Sequence, residues 1–441
     1  MRLTIDLNQT GILGKHVLLA LSGGADSVAL FYLLYHLQRE GKIRLTNAHF
    51  EHGIRSEASL RDRDFVKALS DEYEVPLVSG SGNVPEEAKK TGEGLETCAR
   101  RMRYAFLKEA MGSVGADVIA LAHHRNDQAE TVLMHLLRGG GMKGAVGMRM
   151  ADGLMVRPLL MYTKDDIISF LKETGASWCE DETNRESDNP RNFLRNRVLP
   201  EIQKAYPGAD RALARFSCIV QAEDAYMRRM TAQAYREHVS YYASVCIISR
   251  RKEIDTAILR RLICMTLSNP DFDDVERVRL STGKTNLSGD AYAYGYENEI
   301  YIAWKCDSPQ EIPLPDEGCA SLDGICRIEV QNAPPIPVKD NGLIQVLNAC
   351  CLTGAVVRTR REGDYMHPFG MNGKSKLLSD ILTDKKVPRP IRDAVPVIAR
   401  GSEVLWAAGV GISENAKVAN GCDARRIQIR IENNGGETNV E

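Results

Sequence analysis

Residues Ser22-Gly23-Gly24-Ala25-Asp26-Ser27 directly follow the apolar run His16–Leu21. An apolar strand, a glycine turn and a helix start, in that order, leave several backbone N–H groups aimed at one point. The positive end of the helix dipole points there too. Such a point binds anions, phosphate above all. Gly23 and Gly24 allow backbone angles and a close approach that a side chain would block. Ser22 and Ser27 add hydroxyl donors, and the turn lacks the Lys of the GxxxxGK[ST] loop. Asp26 is the odd member, because a carboxylate repels phosphate unless a cation intervenes. That fits Mg²⁺ held by one or two carboxylates and phosphate oxygens; the bland alternative for Asp26 is a helix N-cap.

Four further stretches carry chemistry. In His49-Phe50-Glu51-His52-Gly53-Ile54-Arg55 the two His have a metal-ligand spacing. Gly53 and Arg55 favour instead a loop approaching a nucleotide, with Arg55 as an anion or RNA contact. Glu96 to Tyr104 reads as a helix with Glu96, Arg100 and Arg103 on one face. Glu96 and Arg100 make an ordinary surface pair there, and Arg103 is placed to stabilise charge developing on an α-phosphate. In Ala122-His123-His124-Arg125-Asn126-Asp127-Gln128-Ala129-Glu130-Thr131 a strand enters a helix capped by Asn126 or Asp127. Asp127 and Glu130 project from one face, to bind Mg²⁺, to hold an ammonium group, or only to complement the helix dipole. Arg138-Gly139-Gly140-Gly141 is a flexible stop able to move over such a site. Asp181-Glu182-Thr183-Asn184 precedes Arg191, Arg195 and Arg197, and Arg191 and Arg195 share a face suited to phosphate forks.

The elements that must position these residues alternate. Strand patterns cover His16–Leu21, Leu45–Phe50, Pro76–Ser79 and Val118–Ala122. Helical patterns cover Ser27–Leu37, Leu60–Glu74, Glu93–Met111 and Asp127–Leu137. This predicts βαβ units, a parallel sheet and a site at the carboxyl ends of its strands. From Asp210 to Arg261 the pattern becomes an amphipathic helix. Leu213, Phe216, Val220, Met227, Met230 and Ala234 form its apolar side, and Arg211, Arg215, Arg228, Arg229 and Arg236 a basic one. That basic side is either a solvated surface or an RNA-binding face. A third part begins after Pro334-Pro335-Ile336-Pro337, with strands at Ala355–Arg360 and Glu403–Ala408. Between Val356 and Arg400 it holds ten Lys/Arg against five Asp/Glu, an excess able to neutralise phosphates. The resulting domains are 1–205, 206–340 and 341–441.

With 441 residues, 43% hydrophobic and 26% charged, the chain has an ordinary globular composition, and its net charge of −2 does not decide for or against nucleic acid. No apolar run is long enough to cross a membrane, and Met1–Asp6 lacks a signal-peptide core. The eleven cysteines include no CxxC pair, which fits reduced thiols and a cytoplasmic location.

The SGGADS turn resembles that of the PP-loop ATP pyrophosphatases, which split ATP between its α- and β-phosphates and place AMP on a carbonyl oxygen. With HFEHGIR, the AR–RY element, LAHHRNDQAET, DETN and RNFLR in this order, the chain resembles the tRNA(Ile)-lysidine synthetase family. The likeness reaches into the C-terminal part through Val357–Asp364, Lys374–Leu378, Val387-Pro388-Arg389 and Pro396–Gly411. Two residues depart from it: Glu51 stands where Asn is usual, and Glu182 where Pro is usual.

The resemblance implies an α/β fold: an N-terminal parallel-sheet PP-loop domain of adenine nucleotide α-hydrolase type, a mainly helical middle domain, and a small α+β C-terminal domain. It implies ATP, Mg²⁺, L-lysine and a CAU-anticodon tRNA(Ile) as substrates and partners, with homodimerisation left open and no membrane. Lysine is joined to C2 of the first anticodon cytidine through an adenylated intermediate, changing codon specificity from AUG to AUA. Residues 22–27 bind ATP, and Asp26 and Asp127 hold the metal. Asp127 and Glu130 take lysine, with Arg103 and His123 assisting; His123 is either the base or a packing residue. Arg55, Arg191, Arg195, Arg197, Lys374, Lys376 and Arg389 contact tRNA. Rival readings are a 2-thiocytidine synthetase, disfavoured by the missing CxxC, an ammonia-using ligase of the NAD synthetase kind, and an inactive tRNA-binding scaffold.

Overall fold

A computed structural model describes residues 3–53, 56–179, 190–267, 270–304, 311–336, 342–369, 371, 373–418 and 422–432. Two compact units divide the chain, Met1–Tyr226 and Met227–Glu441.

The first unit opens with α1 (Leu7–Thr10), β1 (His16–Ala20), α2 (Ala25–Arg39), β2 (Arg44–Glu51), α3 (Ser56–Glu72) and β3 (Leu77–Ser81). Next come α4 (Val84–Thr91), α5 (Leu95–Val114), β4 (Val118–Ala120), α6 (Arg125–Leu137) and α7 (Gly141–Ala145). The sequence continues with β5 (Ala151–Asp152), β6 (Met155–Val156) and α8 (Lys164–Thr174). The sheet runs β3-β2-β1-β4-β6-β5, parallel except for the β5–β6 pair. Both faces are covered, and the alternation along β1 shows why. Val17 and Leu19 face a core shared with Val28 and Phe31 of α2, Val66 of α3 and Ile167 and Leu171 of α8. Leu18 faces the opposite core, with Leu107 and Ala110 of α5. A period of two, apolar on both sides, is what a doubly covered parallel strand requires.

The chain leaves β1 toward β2 on one side, while β4 pairs with β1 on the other. β1 and β4 therefore flank the topological switch point, where α/β sheets open a crevice at their carboxyl ends. Residues 21–24 leave β1 there, and residues 121–124 leave β4 there. The segment α9 (Pro190–Phe193), a π-turn at Leu194–Val198 and α10 (Leu199–Ala205) follows.

The long helix α11 (Ala209–His238) spans the division between the units. Its first half buries Ala214, Ser217, Val220 and Asp224 and leaves Phe216 exposed. The buried stripe is thus displaced from the one expected through Leu213 and Phe216. The cause is polar anchoring: Gln128 donates to Ser217 Oγ at 2.7 Å, and Arg149 pairs with Asp224 at 2.9 Å.

The second unit is richer in strands than its sequence pattern announces. Beside the helices Thr256–Thr266 and Phe272–Arg279 lies a five-stranded antiparallel sheet in the order 239–242, 245–249, 299–304, 291–295, 284–286. A four-stranded sheet (318–322, 326–333, 424–431, 344–348) packs on a seven-stranded one that includes 356–359, 396–400 and 403–407. Their shared core contains Val330, Leu347, Val357, Leu405 and Trp406. Strands 311–313 and 326–333 pair with strands 356–359 and 424–431. A boundary at 340/341 consequently cuts through one folded body.

Arg358 and Asp364 lie inside this body, almost without solvent contact. The guanidinium gives the carboxylate two bonds of 2.8 Å, and donates to the carbonyls of Gly401 at 2.8 Å and Thr359 at 2.9 Å. Removing one partner of such a pair strands the other charge. Asp364→Ala is therefore expected to destabilise the protein by about 3–5 kcal/mol. Asp364→Ala combined with Arg358→Met should recover part of that loss, as read from urea-unfolding midpoints.

Candidate functional site

The turn after β1 takes its shape from Gly23, whose φ of +93° belongs to the left-handed side that favours glycine. Gly24 differs, adopting an ordinary φ of −73° as N-cap of α2 and giving no side-chain cap. A methyl group there would approach only Ser22 Oγ, at 3.7 Å. The bare Gly24 therefore matters as open space rather than as backbone freedom. Ser27 works inside the turn: its hydroxyl donates to the Gly24 carbonyl at 2.9 Å and accepts from the Ser22 N–H at 3.2 Å. The Leu21 carbonyl accepts from His49 Nδ1 at 2.9 Å, which ties the end of β2 to the loop.

Asp26 is not the cap of α2. Both of its oxygens accept from Lys164 Nζ, at 2.7 and 2.8 Å. His124 Nε2 stands 3.8 Å from Asp26 Oδ1 and 3.5 Å from Asp127 Oδ2, so one imidazole lies between two carboxylates. His124 is the N-cap of α6, and the Asp127 carboxylate closes back on the His124 N–H at 3.0 Å. Asn126, the other expected cap, instead accepts from the Lys164 N–H at 3.2 Å.

Asp127 and Glu130 do share a face, and that face is already neutralised. Arg195 gives 2.5 and 2.9 Å bonds to Glu130 and a 2.7 Å bond to Asp127. Arg191 reaches Glu130 at 3.0 Å and Asp127 at 3.4 Å. The phosphate forks expected of these two arginines thus grip protein carboxylates. The π-turn carries Arg195, and π-turns of this kind commonly occur at functional sites.

Charge and burial divide the site. Burial works to raise the Asp127 carboxyl, but His124, His123, the His124 N–H and Arg195 together hold it below the usual carboxylate range. Burial pulls the His123 imidazole down to about 3, against Asp127 and with Arg157, Arg103 and Arg191 assisting. Its Nδ1 is buried without a partner among the described residues. Burial likewise takes His52 down to about 4, helped by Arg103 and His49, and lowers Arg103 itself. Arg103 lies 5.7 Å from the Tyr104 ring centre, and Arg100 stands over the same ring at 4.9 Å. Arg103, whose Nε is buried, thus belongs to the electropositive wall beside His123, whereas Arg100 is exposed.

Comparison with known proteins fixes the family. Residues 6–202 match the PP-loop domain, and residues 355–429 match the TilS substrate C-terminal domain. A tRNA(Ile)-lysidine synthase of Geobacter sulfurreducens is 33% identical over 443 residues, covering 95% of this chain and 93% of that one. The chain belongs to the tRNA(Ile)-lysidine synthase family. A second member, from Symbiobacterium thermophilum, is 32% identical over 446 residues, covering 90% of each chain. A solved TilS C-terminal domain matches 29% of this chain and 99% of its own length, at 25% identity and a TM-score of 0.25.

Arg55 and the Asp181–Asn184 stretch, with Glu182, lie outside the described residues. His49 and His52 do not form a metal site: His49 holds a carbonyl, and no group of three or more His, Cys, Asp or Glu is poised for a metal among the described residues. Arg197 is exposed. In the second unit Lys376 pairs with Asp384, whereas Lys374 and Arg389 are exposed and without ion pairs among the described residues. Arg389 lines a cavity of about 610 Å³ with Tyr294, Tyr296 and Lys386. Reading the sequence gives no role to Lys164 or His124. A Thr163–Asp166 capping pattern marks where the Lys164 helix begins, but nothing local marks a meeting with Asp26, 138 residues away.

The His123 shift carries a sign that can be tested. An unfolded His titrates near about 6.5, so on acidification the unfolded chain takes up this proton first. The contribution of His123 is present in full above that pH and is lost as pH falls toward about 3. His123→Gln should therefore decline less steeply in stability than the parent between about pH 6 and pH 4. An equal slope in urea midpoints against pH would mean that His123 takes up its proton as readily in the folded chain as in the unfolded one.

Proposed function

We propose that this chain joins lysine to C2 of the first anticodon cytidine of a CAU-anticodon tRNA(Ile), converting ATP to AMP and diphosphate. The observation that carries the reading is the meeting of the Ser22–Ser27 turn and the His124–Asp127–Glu130 edge at one switch point. The turn cradles the phosphates through its backbone N–H groups. The cytidine 2-oxygen attacks the α-phosphorus, and the bond to the β-phosphate breaks. The bridging oxygen keeps the electron pair, and diphosphate leaves. The ε-amine of lysine then adds to C2, and AMP departs with the oxygen.

Mg²⁺ fits the residues, because Asp26 and Asp127 flank one imidazole within 4 Å of each. Two hard carboxylates beside phosphate oxygens and water are the donor set this ion prefers. Asp26 and Asp127 would hold it, and when bound it would neutralise charge on the departing diphosphate.

Lysine must attack as the neutral amine, whereas its side chain normally titrates near about 10.4. Acidic residues that hold the ammonium must therefore hand its proton on. His124 is the imidazole within reach of two carboxylates, so the base role expected for His123 passes to it. Admission of the substrate ammonium to Asp127 and Glu130 requires Arg195 to give up part of its grip. Arg103 supplies positive potential from the buried wall. Lys374 and Arg389, with the exposed Arg197, are the residues that meet tRNA in this proposal. Arg191, Arg195 and Lys376 pair with carboxylates of the protein.

Incorporation of labelled lysine into a CAU-anticodon tRNA(Ile) transcript, with and without ATP, tests the whole reading. No incorporation and no diphosphate release would end it. Asp26→Ala is expected to slow tRNA-dependent diphosphate release on the order of 10²-fold or more, while tRNA affinity stays within a few-fold. Lys374→Ala with Arg389→Ala should weaken tRNA binding and lower the slope of log K against log salt by about 2, one for each phosphate no longer neutralised. ATP affinity should not change; an unaltered salt slope would remove both residues from the RNA surface.

A further inference from the structure

Lys164 is the first residue of α8, and its backbone is fixed from two sides. Thr163 and Asp166 close a reciprocal cap, with 2.8 Å from the Thr163 N–H and 3.1 Å from the Asp166 N–H. Asn126 receives the Lys164 N–H at 3.2 Å. The side chain is not fixed in the same way. Among the described residues its ammonium bonds to the two oxygens of Asp26 alone, and it is 43% exposed against 30% for Asp26. A pair this open to water contributes little to stability, so the ammonium can leave at small cost.

Its resting place is unusual for a cation. Asp26 belongs to the first turn of α2, where the helix dipole favours negative charge and disfavours positive. The same point is where the phosphates of a nucleotide would bind, and the SGGADS turn has no lysine of its own. Arg191 and Arg195, two other cations at this edge, are held by Asp127 and Glu130.

We infer that Lys164 is the missing lysine of the phosphate site, supplied by α8 instead of the loop. Without nucleotide its ammonium rests on Asp26; with ATP it moves to the β- and γ-phosphate oxygens. There it offsets the charge that diphosphate gains when the bond to the α-phosphorus breaks. No proton moves from Lys164, and its contribution is electrostatic. The release of Asp26 by Lys164 leaves that carboxylate available to a divalent cation in the same event. This inference rests on the ATP reading above.

The test compares binding of ATP, AMP and inorganic diphosphate to the full chain, measured by calorimetry for the parent, Lys164→Met and Lys164→Arg. Lys164→Met should bind ATP and diphosphate about tenfold more weakly, and AMP within about twofold of the parent. Lys164→Arg should restore most of the diphosphate affinity, because the charge and reach are kept. Undiminished diphosphate binding by Lys164→Met would overturn the inference. So would an equal loss of AMP and diphosphate affinity with a lowered melting temperature, which would mark Lys164 as a structural prop for Asp26. A parent protein that releases diphosphate with tRNA but shows either result rejects this role alone. A parent that binds no ATP rejects both this role and the function it rests on.

Discussion

Three carboxylates meet at the carboxyl edge between β1 and β4, and a folded protein can keep them there only if each is answered. Glu130 is almost wholly buried and Asp127 nearly so. A buried carboxylate without a partner costs several kcal/mol, roughly 3–5 when one member of a pair is removed. The arrangement around them follows from that constraint. Arg195 and Arg191 come from a segment more than sixty residues later to meet Asp127 and Glu130. The His124 N–H closes on Asp127, and Lys164 closes on Asp26. Helix α6 and the π-turn are thus joined by charge at the sheet edge, whereas α8 is held there mainly by the packing of Ile167 and Leu171. The first half of α11 obeys the same rule, since Arg125 binds Asp210 at 2.9 Å and Arg149 binds Asp224.

Such neutralisation also defines what the site can do. A fully paired acidic cluster is stable but closed, whereas a reactive one must exchange partners. The pairs here differ in how readily they exchange. Glu130 with its two guanidinium groups is deep and multiply bonded. Asp26 with Lys164 is shallow and held by one flexible side chain. The gradient runs from a deep, multiply bonded carboxylate at Glu130 to a shallow, singly held one at the mouth of the glycine turn. A nucleotide arriving at that mouth would meet the shallow pair first.

The parts legible in the sequence are those written locally. β1 and β4 are apolar on both faces, and α2, α5 and α6 lie where the 3.6-residue pattern puts them, with ends displaced by no more than three residues. The glycine turn between β1 and α2 is legible because glycine, hydroxyl and acid stand together within six positions. Pairing at a distance is not legible. Arg191 and Arg195 look the same in sequence whether they await a phosphate or an Asp127–Glu130 pair, because only the fold brings residues 191 and 130 together. Lys164 is equally silent. The five-stranded sheet at 239–304 is hidden by the helices around it and by short strands such as Lys284–Asn286, which carry too few residues to show a period. The stripe on α11 is misplaced by hydropathy because Ser217 and Asp224, polar by type, are buried by their bonds, and such a pattern scores them as surface.

The distribution of unanswered positive charge separates cations that hold the fold from cations available to RNA. Ten basic residues lie between Val356 and Arg400, with five acids among them. Arg358, Arg360, Arg361, Lys376 and Arg400 are each paired with an acid. Among the described residues Lys374, Lys385, Lys386, Arg389 and Arg392 have no ion pair, so the net excess is concentrated on them rather than spread over the ten. Arg392 is partly used, donating to the Val387 carbonyl and to Thr383 Oγ1. Lys386 and Arg389 border the same cavity as Tyr294 and Tyr296, whose rings stack at 4.9 Å. A polyanion gains from cations whose charge is not already spent, since each releases a condensed counterion when it meets phosphate. In the first unit the arginines of the acidic edge are spent on protein carboxylates and build the site. In the second the excess positive charge stands on lysines and arginines that have no ion pair among the described residues.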